Sequence, residues 1–213
     1  VGIIIFTLLI TTWRQVGHWK NSITIFKHAI RVTEKKYPDF ALVYNNLGMA
    51  LFAKQRNDEA ISYLKIAIKI KPDYAYAYSN LGNALSAEQR FEEAISHYKM
   101  VIKINPTSAD TYNNLGVALV GEGKNEEAIS HYKMAIKIKP DYVEAYSNLG
   151  NALFVEQRFE EAISHYKIAI KINPDSADVH YNLGNALVAD GKNEEAIDSF
   201  KEAIRIHPDF ADV

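Results

Sequence analysis

The sequence predicts an all-α protein: a solenoid of antiparallel helix hairpins repeating every 34 residues and winding as a right-handed superhelix. Three markers point to this. Prolines stand at 72, 106, 140, 174 and 208, a constant spacing of 34. The dipeptide Leu-Gly recurs at 47–48, 81–82, 115–116, 149–150 and 183–184 with the same interval. Alanines at 60, 94, 128, 162 and 196 repeat it once more. A period of this length is that of one helix-turn-helix unit. No such unit can bury its apolar stripe alone, so each must stack on its neighbours.

One copy, residues 109–142, shows how the elements arise. Tyr112, Leu115 and Leu119 fall on one helical face. Gly121, Gly123 and Asn125 then break the helix. A second helix is expected from Glu126, with Ala128, Ile129, Tyr132, Ala135 and Ile136 as its buried stripe. Glu126 and Glu127 in its first turn and Lys137 and Lys139 in its last suit the helix dipole. Pro140 stops it, and Asp141 is placed to cap the helix that follows. Gly116 and Ala128 are small enough to let the two helices approach closely.

Tyr112, Leu115, Gly116, Leu119, Ala128, Tyr132, Ala135 and Pro140 match the tetratricopeptide signature position by position. The chain resembles that repeat family over residues 41–210. It departs from the pattern at Leu64, where an aromatic is usual, and at Val101, where alanine is usual. The resemblance implies five consensus repeats at 41–74, 75–108, 109–142, 143–176 and 177–210, with first helices lining a concave side and residues 211–213 opening a truncated sixth. Repeats 75–108 and 143–176 share Gln-Arg-Phe-Glu-Glu in the turn, while 109–142 and 177–210 share Gly-Lys-Asn-Glu-Glu. That alternation reads as duplication of a 68-residue pair, and it suits a regular surface better than one tailored pocket.

The ends differ from the middle. Residues 1–12 are apolar on every face but too few to span a bilayer, which takes about 20. They read as an assembly helix or as the end of a membrane segment. Trp13, Arg14, Trp19 and Lys20 suit a membrane interface, so contact with a membrane through residues 1–20 is one expectation. Residues 13–40 read as a degenerate first repeat, in which Trp19, Ile23, Phe26, Ala29 and Ile30 align with a second helix. The stretch 12–19, followed by Ser22, Phe26 and Ala29, resembles the junction in multi-span membrane glycosyltransferase-like proteins with a tetratricopeptide tail. That resemblance implies a tail outside the cytoplasm, in the cell envelope or extracellular. Arg14, Lys20 and Lys27 favour the inside, which leaves the sidedness open. A second expectation for the ends is head-to-tail self-assembly. Ile3, Ile4, Ile5, Phe6 and Leu9 of one molecule would cover the uncapped C-terminal stripe with Phe200 and Phe210 of the next.

Composition excludes several chemistries. Against 26 acidic residues stand 24 basic ones, and a net charge of -2 gives no electrostatic basis for binding nucleic acid. Without cysteine there are no disulfides and no thiolate metal sites. The sequence has no nucleophile elbow, phosphate-binding loop, HExxH motif or dinucleotide turn, so neither an enzyme nor a cofactor is expected. His97, His131 and His165 recur with the repeat, but equivalent positions in stacked hairpins lie roughly 10 Å apart. Zinc ligands sit at about 2 Å, so the three cannot share an ion and read as ordinary repeat surface. Lysine pairs at 65 and 69, 99 and 103, 133 and 137, and 167 and 171 mark a solvated convex face. Asp110, Glu144 and Asp178 flank the groove.

Asparagine is the candidate binding residue. Asn46, Asn80, Asn114, Asn148 and Asn182 share one phase of the first helix, and Asn83, Asn151 and Asn185 lie one turn further along. The row resembles the asparagine ladder of the O-linked N-acetylglucosamine transferase superhelix, which implies that it holds an extended peptide by its backbone. A carboxamide both donates to and accepts from a peptide unit. Each such bond gives about 0.5–1.5 kcal/mol, so a row is needed for useful affinity. The alternative is that these asparagines cap or bridge neighbouring helices. The expected function is therefore a scaffold that binds a protein or peptide in the concave groove. Two alternatives stand beside it: head-to-tail structural assembly, and the tail of a membrane glycosyltransferase-like protein.

Overall fold

The computed structural model describes residues 22–33 and 40–208. The expected apolar helix at 1–12, the other residues before 22, and the segment after 208 lie outside the described residues. Every element described is helical. Helix Ser22–Thr33 precedes five hairpins. These are Ala41–Phe52 with Asn57–Ile70, Ala75–Ala87 with Phe91–Ile104, Ala109–Gly121 with Asn125–Ile138, Val143–Val155 with Phe159–Ile172, and Ala177–Ala189 with Asn193–Ile206. The chain divides into two compact units, Val1–Ile104 and Asn105–Val213.

Both units obey one packing rule. In the first unit, Asn57–Ile70 packs on its own partner and on the next first helix, Ala75–Ala87, while the two first helices also touch. In the second, Ala109–Gly121 touches Val143–Val155, which touches Ala177–Ala189. Among the described residues of each unit, no second helix touches another second helix. First helices therefore occupy the inner side of each stack, where successive hairpins approach most closely.

The sequence markers explain this closeness. Leu47, Leu81, Leu115 and Leu149, with alanines 60, 94, 128 and 162, are fully buried. A Cβ built on Gly116 would lie 2.5 Å from Cε1 of Tyr132, and one on Gly150 the same distance from Tyr166. Gly82 bears likewise on Tyr98 and Gly184 on Phe200. In the first hairpin the partner of Gly48 is Leu64, so the unusual leucine fills the aromatic's place. Val101 is buried where alanine is usual.

The turns refine two expectations. The first helix of the third hairpin runs through Gly121, and the break comes at Gly123, in the left-handed region at φ 73°. Gly191 does the same at φ 79°, whereas Gln55, Gln89 and Gln157 hold this conformation at φ 57–59° without glycine's freedom. Asp141 does not cap the following helix. Tyr142 occupies that position and accepts no side-chain hydrogen bond, because the helix begins one residue later than an Asp141 cap requires. Lys139 instead rests over the Tyr142 ring, 4.5 Å from its centroid. Ser108 is a true cap, accepting from the backbone N–H of Thr111 at 3.3 Å. The lysines of the four pairs on the second helices are all exposed.

Candidate functional site: a groove of carboxamides and aliphatic side chains

Residues spaced by four and three along a helix share one face. In the second unit Asp110, Asn114 and Val117 form one such row, Glu144, Asn148, Asn151 and Val155 the next, and Asp178, Asn182 and Asn185 the third. The rows converge on two adjoining cavities. One, about 170 Å³, lies among Val117, Val120, Tyr132, Asn148 and Val155. The other, about 280 Å³, lies among Phe154, Val155, Tyr166, Asn182 and Asn185. Both also include Asn151, so together they form one groove across the three first helices.

The asparagines bond to one another as well as facing this space. Asn148 Nδ2 donates to Asn113 Oδ1 at 3.0 Å, and Asn113 Nδ2 donates to Asn114 Oδ1 at 3.4 Å. Asn182 Nδ2 donates to Asn151 Oδ1 at 3.1 Å, and the same oxygen accepts the Tyr166 hydroxyl at 2.7 Å. The first unit repeats the scheme, with Asn80 donating to Asn45 at 2.9 Å, Asn45 to Asn46 at 3.2 Å, and Tyr98 to Asn83 at 2.8 Å. The bonds donated by Asn80, Asn148 and Asn182 each tie one hairpin to the one before it. A carboxamide has two N–H donors and two carbonyl lone pairs. Asn80, Asn148 and Asn182 each use one N–H in these bridges, so the second N–H and the carbonyl oxygen of each stay available to a ligand.

Asn185 stands apart. The residue that would supply a tyrosine hydroxyl is Phe200, and the Asn185 side chain makes no hydrogen bond among the described residues. It faces the groove with its full bonding capacity.

Several groove residues were not foreseen. Asn45 and Asn113 precede the expected asparagines by one position and accept the bridges. Val117, Val120, Phe154 and Val155 form the apolar lining, with Val155 60% exposed. The signal was present, since each lies three or four residues beyond a groove asparagine or beyond one another. Burial raises the ionisation of the Tyr98, Tyr132 and Tyr166 phenols above the ordinary value, which keeps them neutral, and Tyr98 and Tyr166 serve as donors.

The histidines differ from the expected open surface. His97, His131 and His165 are half-buried, with ring centroids 5.8–5.9 Å from those of Tyr78, Tyr112 and Tyr146 in the same hairpins. Their position on the second helix lies over the first-helix tyrosine, so packing takes the ring. Among the described residues no group of three His, Cys, Asp or Glu could hold a metal ion, and no helix is long and apolar enough to cross a membrane. Of the residues expected at an assembly interface, Phe200 is the one described. Its ring packs against Gly184 and lies 5.7 Å from that of Tyr181. Ile3, Ile4, Ile5, Phe6, Leu9 and Phe210 lie outside the described residues.

Comparison with known proteins agrees with this architecture. Models of the tetratricopeptide repeat match residues 39–107, 97–130, 118–156, 150–191 and 177–210. No curated protein sequence matches the chain. Among solved structures, MamA is 26% identical with a TM-score of 0.72, covering 78% of this chain and 98% of its own. YrrB, described as a tetratricopeptide repeat protein with an unusual peptide-binding site, is 24% identical with a TM-score of 0.70, covering 86% of this chain and 93% of its own. A thermophilic repeat protein from Thermus thermophilus is 22% identical with a TM-score of 0.64, covering 81% of this chain and 94% of its own. The 34-residue period, the glycine–aromatic contacts and these matches make the chain a member of the tetratricopeptide repeat family.

Proposed function

We propose that this chain is a non-catalytic protein-interaction scaffold that holds an extended segment of a partner protein in the groove of its first helices. The observation behind this reading is the lining of that groove: carboxamides with unused donors and acceptors alternate with exposed aliphatic side chains. An extended strand presents backbone N–H and C=O groups at each residue and side chains to alternate sides. The carboxamides match the first, and the hollows beside Val117, Val120 and Val155 match the second. The peptide-binding site of YrrB supports the reading by analogy of fold. Head-to-tail self-association and membrane contact through residues 1–20 rest on the sequence of the ends alone and are secondary to it.

The test begins with selection of random peptides by display on the immobilised chain. The selected peptides are then titrated against Val155→Gln and Asn185→Ala, two exposed or unbonded positions whose replacement leaves the core intact, and against Lys133→Gln/Lys137→Gln on the second helix. Loss of about tenfold or more in the groove variants alone supports the reading. Loss in the lysine variant with full retention in the groove variants would place binding on the opposite face and overturn it.

A further inference from the structure

The charges of this chain are not distributed evenly between its two kinds of helix. Over the five hairpins, no first helix contains a lysine or arginine; those residues lie on second helices and turns. In the second unit the first helices contribute acids instead. Asp110, Glu144 and Asp178 occupy the same position of successive hairpins, at the head of the rows that continue into Asn114, Asn148 and Asn182. All three are exposed, and none forms an ion pair among the described residues. Asp110 lies by the Tyr142 side chain, over whose ring Lys139 Nζ rests 4.5 Å from the centroid without forming an ion pair with the acid. Elsewhere on the surface acids do find cations: Glu161 pairs with Arg158, Glu195 with Lys167 and Asp190 with Lys192. The three acids are left without such partners, at one edge of a groove whose floor is neutral.

We infer that the groove of the second unit selects extended peptides bearing basic side chains at regular intervals, one for each of Asp110, Glu144 and Asp178. This rests on the reading of the groove as a peptide site and specifies the peptide's chemistry. An acidic peptide would meet the like charges of Asp110, Glu144 and Asp178 along the groove. A basic one gains three opposite charges, while its backbone meets the carboxamides and its small apolar residues enter the hollows beside Val117 and Val155. The interval follows from geometry. Packed helices stand about 8–10 Å apart, and an extended chain rises about 3.3 Å per residue, so each hairpin spans about three residues. The preferred ligand therefore has lysine or arginine at every third position.

The test uses three acetylated nine-residue peptides of the repeating form Lys-Val-Ala, Gln-Val-Ala and Glu-Val-Ala, titrated into the full chain by calorimetry. At low salt, about 50 mM, the lysine peptide should bind about tenfold tighter than the glutamine peptide, and the glutamate peptide weakest. The advantage should shrink severalfold at about 500 mM salt, where exposed pairs are screened. The triple variant Asp110→Asn/Glu144→Gln/Asp178→Asn, whose changes are confined to exposed positions, should bind lysine and glutamine peptides alike. Equal binding of all three peptides by the unaltered chain, or a lysine preference that survives in the triple variant, would overturn the charge inference and leave the groove reading in place. Failure of all three to bind would overturn both. Binding of every peptide weakened by Val155→Gln, with the triple variant losing the lysine preference alone and circular dichroism unchanged in both, supports both.

Discussion

Replacing Gly116 with alanine tests the contact on which hairpin closure depends. The new Cβ would stand 2.5 Å from Cε1 of Tyr132 and 2.8 Å from its Cδ1 and Cζ. Carbon atoms rest at about 3.5–4.0 Å, so the ring or the helix must move by about 1 Å. Tyr132 is 2% exposed and has no solvent to retreat into. Overpacking of this kind costs about 1–3 kcal/mol. Alanine's better helix propensity returns about 1 kcal/mol, so the net loss is at most about 2 kcal/mol. A larger Gly116→Leu should cost a few kcal/mol. The decisive experiment is a cycle with Tyr132→Val, measured by urea unfolding and far-ultraviolet circular dichroism. With the ring gone the clash vanishes, and Gly116→Ala should become stabilising by up to about 1 kcal/mol. The reasoning is refuted if the alanine has the same effect in both backgrounds.

Turns, groove and histidines each carry a further expectation. Gln157 holds φ 59° on an exposed turn, so Gln157→Gly should raise stability by about 1 kcal/mol, read as a shift in the urea midpoint. Phe200→Tyr should place a hydroxyl against Asn185 as Tyr166 does against Asn151 at 2.7 Å. It should stabilise by about 1 kcal/mol and weaken peptide binding; unchanged values of both would show that Asn185 is not within reach. Burial first, and then Lys65 and Lys133, hold His97 and His165 below the ordinary imidazole value of 6.5 against the opposing pull of Glu93 and Glu161. Both rings are neutral in folded and unfolded chains above that value, so the stability is fully present there. As pH falls below 6.5 the unfolded chain takes up protons first, and stability is lost until the folded rings also titrate. The double variant His97→Gln/His165→Gln should flatten that loss in thermal melts taken across the range.

Much of the fold was legible in the sequence because the repeat enforces it. Leu115, Gly116, Ala128 and Pro140 each recur in phase, and each has one physical task that its residue type announces: core, close approach, close approach and helix stop. What was hidden lay one step from this periodicity. Asp141 looked like a cap because its side chain can serve as one, yet the backbone places Tyr142 there. The asparagine row was visible, but its bridges were not, since Asn148 reaches back to Asn113 across a hairpin boundary that sequence spacing does not describe. The aliphatic lining escaped for a similar reason. Val117 stands where Asn83, Asn151 and Asn185 stand in other copies, so the residue shared by the repeats does not mark the one that differs. The histidines repeat like surface residues, although each packs on a tyrosine that repeats with it.

The central claim is that partners bind along the first helices of the hairpins. Nuclear magnetic resonance of the chain, with valine methyls and asparagine side-chain amides labelled, tests it directly during titration with the lysine-containing peptide. Isoleucine methyls labelled in the same sample report on the second helices. The account predicts that the methyls of Val117, Val120 and Val155 and the amides of Asn148, Asn182 and Asn185 shift in proportion to occupancy, while residues of the second-helix outer face such as Ile168 and Ile172 stay in place. Shifts concentrated on those second-helix isoleucines, with the groove methyls and amides unmoved, would contradict it.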